Sequence, residues 1–533
     1  MKVLITGNYL KIKFDPTVVS MPLIISRNGK KEADHIIPYS EKAKRYVYLD
    51  VRRFKGEELS LKYPKAFRFT QVDSIPLDEI YAQDDRPYVH FTAPSGHIND
   101  PNGLLYYNGK YHIFFQYYPF LAESFNDNIT LENGTRYCYW FRQNWGHLVT
   151  EDFVNYEYYP IALHHNPTGS AWSGSGVIDE KNVSGLGDGK TPPMLLFYTA
   201  CGDPTLVHGR KPFEQRMAYS LDGGVNFTVY PKVMVPFIKG ANRDPKVIYS
   251  DELNKWIMAL YLDGDEYAIL TSENLLDWTM AESFVTHGEN ECPDFYPITA
   301  DNGERLWVYS GAHNHYIVGK WEGEKFTPVQ QEKILHLGSK YYAGQSFYGA
   351  DKRININWLR IPYEYGKPYS QAHGFPAERK LIFRNGEYFL TEKPLEIENK
   401  LIKSEKFTLK KGGNTSAKFE KGPLYVKLNV KCDKETSLTL FGYPISVQPK
   451  KSRVVINGQV LPVLDSSDGF NLEFIVDKRS LEVFAGEGES CTAFTDKIEY
   501  SAKSLSVKSS GDFVCEGEVG LLKPIKITEF KNI

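Results

Sequence analysis

Apolar and polar residues alternate in short runs along most of the chain, and almost nowhere does an apolar period of 3.6 persist for twelve residues. A period of two sends successive side chains to opposite faces of a strand. Runs such as Lys110–Gln116 (KYHIFFQ), Met194–Thr199 (MLLFYT), Lys255–Tyr261 (KWIMALY) and Arg305–Ser310 (RLWVYS), each bounded by turn residues, therefore predict β-strands. The expected fold class is all-β.

Each of these strands follows a similar preamble. Asp100–Tyr107 (DPNGLLYY) leads through Asn108-Gly109 into the first, and Trp172–Asp179 (WSGSGVID) through a Gly-rich loop into the second. Arg243–Tyr249 (RDPKVIY) and Glu291–Ile298 (ECPDFYPI) precede the third and fourth, and a weaker fifth unit runs from Tyr342–Phe347 (YAGQSF) into Ile354–Trp358. Unit starts near 100, 172, 243, 291 and 342 are 72, 71, 48 and 51 residues apart, close to or above the roughly 40–50 residues of a propeller blade. A five-bladed β-propeller over residues 85–385 is the natural reading, and it would bring five polar strand tips to one funnel. A sandwich with recurrent hairpins is the alternative.

Outside that span the character shifts. Residues 386–533 are Lys- and Ser-rich with short alternating strands, Leu424–Val430 and Ser480–Phe484 among them, and predict a C-terminal β-sandwich. Residues 1–84 carry strand patterns such as Tyr46–Val51 and predict a small N-terminal accessory β domain, with Asp84–Pro87 as the linker.

Composition narrows the function. The 533 residues carry 63 Lys+Arg against 66 Asp+Glu, a net charge of -3, so no basic excess exists to hold nucleic acid or an anionic membrane. Mean hydropathy is -0.40 and no apolar run reaches about 18 residues, which predicts neither a membrane span nor wholesale disorder. Aromatic residues, at 14%, suit pleated strands and equally the flat faces of sugars. The six Cys, at 138, 201, 292, 432, 491 and 515, lack zinc-site spacing and predict no disulfide scaffold. The opening MKVLITGNYLKIKF has no signal-like apolar region. A cytoplasmic protein is expected, or a secreted or periplasmic one if a leader precedes this sequence; a homo-oligomer is compatible with either. The sequons at Asn128 and Asn133 carry little information.

Three acids, Asp100, Asp244 and Glu291, stand at the tips of three different units. Cleaving an acetal with retention needs a carboxylate beside the anomeric carbon and a carboxylic acid beside the leaving oxygen, about 5–5.5 Å apart. A funnel lined by strand ends can supply that pair.

The motifs His97–Gly103 (HINDPNG), Trp172–Ser175 (WSGS), Arg243–Pro245 (RDP) and Glu291-Cys292 resemble, in order and spacing, those of glycoside hydrolase family 32, the invertases and fructan hydrolases. His112–Pro119, Trp145–His147 (WGH) and Tyr342–Phe347 add to the resemblance, which covers about 250 residues. It implies a retaining, exo-acting β-fructofuranosidase that removes terminal fructose from inulin- or levan-type fructans, fructo-oligosaccharides or sucrose. Asp100 would be the nucleophile, Glu291 the general acid and base, and Asp244 the stabiliser of the transition state. Glu291 must then be protonated and Asp100 ionised. Arg243 would hold Asp244 or a substrate hydroxyl. Asn99, Gln116 and Ser173 would supply polar contacts and Trp145 and Trp172 apolar walls, and Tyr342 and Gln345 of the fifth motif, with His97, would also bind the substrate. Cys292 reads as a small buried support for Glu291, not a nucleophile. The rivals are a fructosyltransferase and, in another class, a non-catalytic carbohydrate-binding propeller.

Two departures stand out. His97 occupies a position that is commonly Trp in the family, and residues 117–144 form a longer stretch than usual; both are expected to govern leaving-group preference. His313 and His315 lack a third ligand, and the chemistry calls for no metal or cofactor.

Overall fold

The computed structural model describes residues 1–84, 86–120, 129–130, 136–137, 139–202, 211–362, 364, 367–498, 500 and 504–531. Among them the protein is all-β: the only α-helices are the single turns Leu77–Tyr81 and Ile397–Lys400. Much of the 117–144 stretch lies outside the described residues.

Five antiparallel sheets follow one another along the chain. Their inner strands are Gly96–Tyr107, Ser170–Ile178, Arg243–Ser250, Asp294–Thr299 and Tyr341–Ser346, each hydrogen-bonded to the next strand in sequence. The inner strands also pack on one another in cyclic order, the fifth against the first. Closure is reinforced by Tyr369–Ser370, which pairs in parallel with Gly96-His97. Between neighbouring sheets lie apolar layers rich in aromatic residues, with Trp307, Phe295, Tyr267 and Tyr309 fully buried in one and Trp145 and Phe114 in another. Met194–Cys201 is buried on both faces, which explains why its sequence is nearly continuous in apolar residues instead of alternating.

The first hairpin turns on Asn108 (φ 49°) and Gly109 (φ 79°), a two-residue loop that needs left-handed backbone at both positions. Asn385-Gly386 repeats this device between Ala377–Arg384 and Glu387–Pro394. The fifth sheet therefore runs past the boundary expected at 385, because the Asn-Gly pair there is a hairpin turn and not a linker. The last strand among the described residues, Lys526–Glu529, likewise returns to pair with Asn155–Tyr158 on the outer edge of the first sheet.

Residues 401–522 form two six-stranded sheets around their own apolar core. Two small sheets at the N-terminus enclose another, into which Tyr118 and Phe120 of the first sheet's loop side project. A buried Arg142–Asp34 ion pair of 2.7 Å crosses that junction.

The C-terminal sheets are fastened through Asp477. Its carboxylate accepts the backbone N–H groups of Tyr88 and Val89, both at 2.8 Å, and meets His90 Nδ1 at 2.9 Å. Glu482 lies 3.4 Å from the other ring nitrogen. Burial opposes a charge on His90, but the two carboxylates outweigh it and push its pKa up to about 10. A His raised in the folded state stabilises fully below its unfolded pKa of about 6.5 and loses that contribution as pH rises through the folded value. Asp477→Ala leaves three backbone donors, those of Tyr88, Val89 and Lys478, without their acceptor and the buried imidazolium with Glu482 alone, and is expected to cost about 3–5 kcal/mol in denaturant titration. The wild type is expected to lose stability between roughly pH 6.5 and pH 10, and the variant to lose less over that interval.

Candidate active site

The cyclic inner strands end around a cavity of 510 Å³. Pairing is interrupted at the same level in four of the five: between Ile98 and Pro101, Ala171 and Gly174, Arg243 and Lys246, and Tyr342 and Gln345. Bulges bend a strand and re-aim side chains, and these turn Asp100, Trp172, Ser173, Asp244 and Tyr342 into the cavity. Asp244 (φ 63°), Glu291 (φ 56°) and Cys292 (φ 38°) sit in left-handed backbone, strain of the kind that folds keep at functional sites. Gly174 is required beside Ser173, since a Cβ there would lie 1.9 Å from the Phe197 carbonyl oxygen.

All three acids predicted from sequence line this cavity, together with Asn99, Gln116, Trp172, Ser173, Arg243 and Tyr342. Ser173 Oγ donates to Asp100 Oδ2 at 2.6 Å. The Cys292 thiol points to Asp100 Oδ2 at 3.4 Å and to Asp244 Oδ2 at 3.5 Å, while its backbone N–H donates to Asp244 Oδ2 at 3.0 Å. Cys292 thus supports Asp100 and Asp244, not Glu291 as the sequence suggested. Burial and the three carboxylates push its pKa far up, so it stays a thiol and a donor.

Glu291 is held on both oxygens. Arg243 Nη2 donates to Oε1 at 2.5 Å and the Tyr342 hydroxyl donates to Oε2. Arg243 lies farther from Asp244, at 3.7 Å, so its main partner is Glu291. The direction of each shift runs against the expected ionisation. Burial raises Asp100, with Ser173, Asn99 and Cys292 opposing, and pushes Asp244 up to about 7 against the pull of Arg243. Burial would raise Glu291 too, but the Arg243 charge and the Tyr342 hydroxyl overcome it and hold its carboxyl below the ordinary value. Burial thus favours the protonated forms of Asp100 and Asp244, whereas Arg243 and Tyr342 favour the charged form of Glu291.

Three predicted residues stand back from the cavity. Trp145 is fully buried and donates to the Trp172 carbonyl at 3.0 Å, so it backs the wall without forming it. Gln345 donates to the Gly174 carbonyl at 3.1 Å and ties the fifth inner strand to the second. His97 is 1% exposed, hydrogen-bonded to Ser370 at 2.9 Å and flanked by Trp140 and Trp358. Burial lowers its pKa to about 3, leaving a neutral ring packed against these two indoles. His313 packs edge-on to Tyr342 at 5.0 Å, and His315 pairs with Glu332.

Sequence reasoning missed Trp140, Gln143, Phe213, Ala241, Trp358 and Arg360, which complete the lining. Trp358 lies at the end of the second strand of the fifth unit and Arg360 just beyond it, and an aromatic-to-Arg tip after an otherwise buried strand is the available signal. Trp140 and Gln143 fall within the 117–144 stretch, whose length alone gave no residue-level clue.

Residues 90–394 match the family model of the glycosyl hydrolases family 32 N-terminal domain. The chain is 32% identical over 348 residues to a levanase of Bacillus subtilis, covering 59% of this chain and about half of that one, 47%. It is 30% identical over 516 residues to an extracellular exo-inulinase of Aspergillus awamori, covering 80% and 92%. The crystal structure of exo-inulinase from Aspergillus awamori superposes with a TM-score of 0.70 at 25% identity, covering 83% of this chain and 99% of that one.

Proposed function

The chain belongs to glycosyl hydrolase family 32, and from that membership we propose that it is a retaining, exo-acting β-fructofuranosidase on fructans, fructo-oligosaccharides and sucrose. The names of its relatives, levanase and exo-inulinase, support the substrate class. The ring of five sheets reads as a five-bladed propeller over residues 85–394, carrying an accessory β domain at 1–84 and a sandwich from about 395 to 525. A cavity at the inner ends of five sheets suits the end of a chain.

The observation that carries the reading is the meeting of three carboxyl groups from three sheets in one cavity, two on a common thiol and the third held by Arg243 and Tyr342. Asp100 attacks the anomeric carbon and forms a covalent fructosyl-enzyme. Glu291 gives its proton to the departing oxygen and then takes one from the incoming water, so configuration is retained. Asp244, fixed by its N–H on Thr199 Oγ1 at 2.9 Å and by the Cys292 N–H, accepts from the fructosyl hydroxyls as charge develops. Ser173 keeps the Asp100 carboxylate aimed, while Asn99 and Gln116 offer amides to the sugar. For Glu291 to act as an acid, the leaving oxygen must displace one of its two donors.

The test is a hydrolysis panel of sucrose, 1-kestose, inulin and levan. Fructose and the substrate shortened by one fructosyl unit (glucose from sucrose, sucrose from 1-kestose) are expected as the early products, the fructose appearing first as the β-anomer by proton NMR. Products longer than the substrate at high sucrose would make the enzyme a transferase, and binding without release of fructose would make it a carbohydrate-binding protein.

A further inference from the structure

Arg360 follows the second strand of the fifth sheet, Ile354–Leu359, and lines the cavity half-buried. Its guanidinium lies 3.7 Å from the ring centroid of Tyr342 and 4.8 Å from that of Trp358, a flat cation on two aromatic faces. Its backbone is pinned, the N–H donating to the Lys340 carbonyl at 2.8 Å and the carbonyl accepting from Thr495 Oγ1 at 3.0 Å. Among the described residues Arg360 makes no ion pair, and its Nε has no hydrogen-bond partner. Arg243, the other guanidinium of the cavity, is committed to Glu291 and to the Ala241 carbonyl.

The arrangement is costly unless something uses it. A guanidinium carries five donors in a rigid fork, and the buried Nε of Arg360 forgoes water without gaining a partner. The two faces fix the plane of that fork, so little side-chain entropy remains to be lost on binding. Its position identifies the partner: Tyr342 bonds to Glu291, the group placed to protonate the leaving oxygen, and Arg360 rests on the same ring.

Resting on the function proposed above, we infer that Arg360 is the specificity-determining residue of the leaving-group side. Its guanidinium donates to neighbouring hydroxyl oxygens of the sugar unit that departs. A neutral vicinal diol fits better than a phosphate, because the carboxylates of Asp100, Asp244 and Glu291 share the cavity and no second free cation stands beside Arg360 among the described residues lining it. Leaving-group selection is thereby moved from His97, which is buried behind Trp140 and Trp358, to the fifth sheet.

Arg360→Met and Arg360→Lys, compared with wild type on 1-kestose, sucrose and methyl β-fructofuranoside, test the assignment. Methyl fructoside presents the same fructosyl unit with a leaving group that has no further hydroxyls. For Arg360→Met, kcat/KM on 1-kestose and sucrose is expected to fall about 10–100-fold, mainly through KM, as for loss of hydrogen bonds to a charged group. The fall on methyl fructoside is expected to stay within about threefold, and the inhibition constant of free fructose to stay within about twofold. Arg360→Lys is expected to fall between, keeping the charge but losing the fork. Equal losses on all three substrates would overturn the inference and leave Arg360 as a support for Tyr342 and Glu291. No loss on any would overturn it as well. A wild type that releases no fructose from any of them would overturn the functional reading itself, and this inference with it.

Discussion

Asp100→Ala is expected to lower kcat on sucrose and on fructans by at least about 10⁴-fold, the scale of loss when a nucleophile that works as part of a unit is removed. Sugar binding, read by calorimetry, should persist, because Asn99, Gln116, Trp172 and Arg243 still line the cavity. Stability supplies the control. Burial raises the Asp100 carboxyl, so the folded state disfavours its charged form; a raised carboxyl stabilises relatively at low pH and penalises the fold as pH climbs past its unfolded value of about 3.9. The variant should therefore melt no lower than wild type near neutral pH. Loss of activity with a lowered melting temperature would point to misfolding, and wild-type rates would remove Asp100 from the nucleophile's role.

The same residue shows what was readable in the sequence. The three acids and the polar tips around them could be picked out because each opens a unit that leads into a strand pattern of period two. That pattern alone would have aimed alternate tip residues away from the cavity. The bulges at Ile98/Pro101, Ala171/Gly174 and Arg243/Lys246 correct the aim, and only Gly and Pro near the tips hint at them. Trp145 failed as a wall for a similar reason. An aromatic residue in a motif is equally at home in the layer between two sheets, and Trp145 is there, behind Trp172.

Partnerships among charges were harder still, because they depend on side-chain reach across sheets. Arg243 precedes Asp244 and looked like its holder, yet a strand sends neighbouring side chains apart, and the guanidinium crosses to Glu291, 48 residues later. Arg360 could not be tied to Tyr342 without knowing that adjacent strands of the fifth sheet, Tyr341–Ser346 and Ile354–Leu359, pair through a bulge that brings their ends together. The interface network of Asp477, His90 and Glu482 joins residues nearly 400 apart, and no local pattern signals such a pair.

Those partnerships shape the second large effect. Glu291→Gln keeps the size of the side chain and a hydrogen bond to Tyr342 but has no proton to give, so hydrolysis of sucrose and fructans is expected to fall about 10²–10⁴-fold. A fructoside with an acidic phenol as leaving group needs little protonation to depart, and its first turnover should slow less than tenfold; equal slowing of both would assign the proton to another group. Tyr342→Phe separates the carboxyl's charge from its presence. The hydroxyl now donates to Glu291 and favours the ionised form. Removing it raises the pKa of Glu291, so the protonated acid survives to higher pH and the alkaline limb of kcat/KM should move upward. With Arg243 still on Oε1 the move is limited, and about one pH unit corresponds to the loss of one hydrogen bond to a charged group. A limb that stays in place in Tyr342→Phe but shifts in Glu291→Asp would mean that Tyr342 positions the acid without setting its proton affinity.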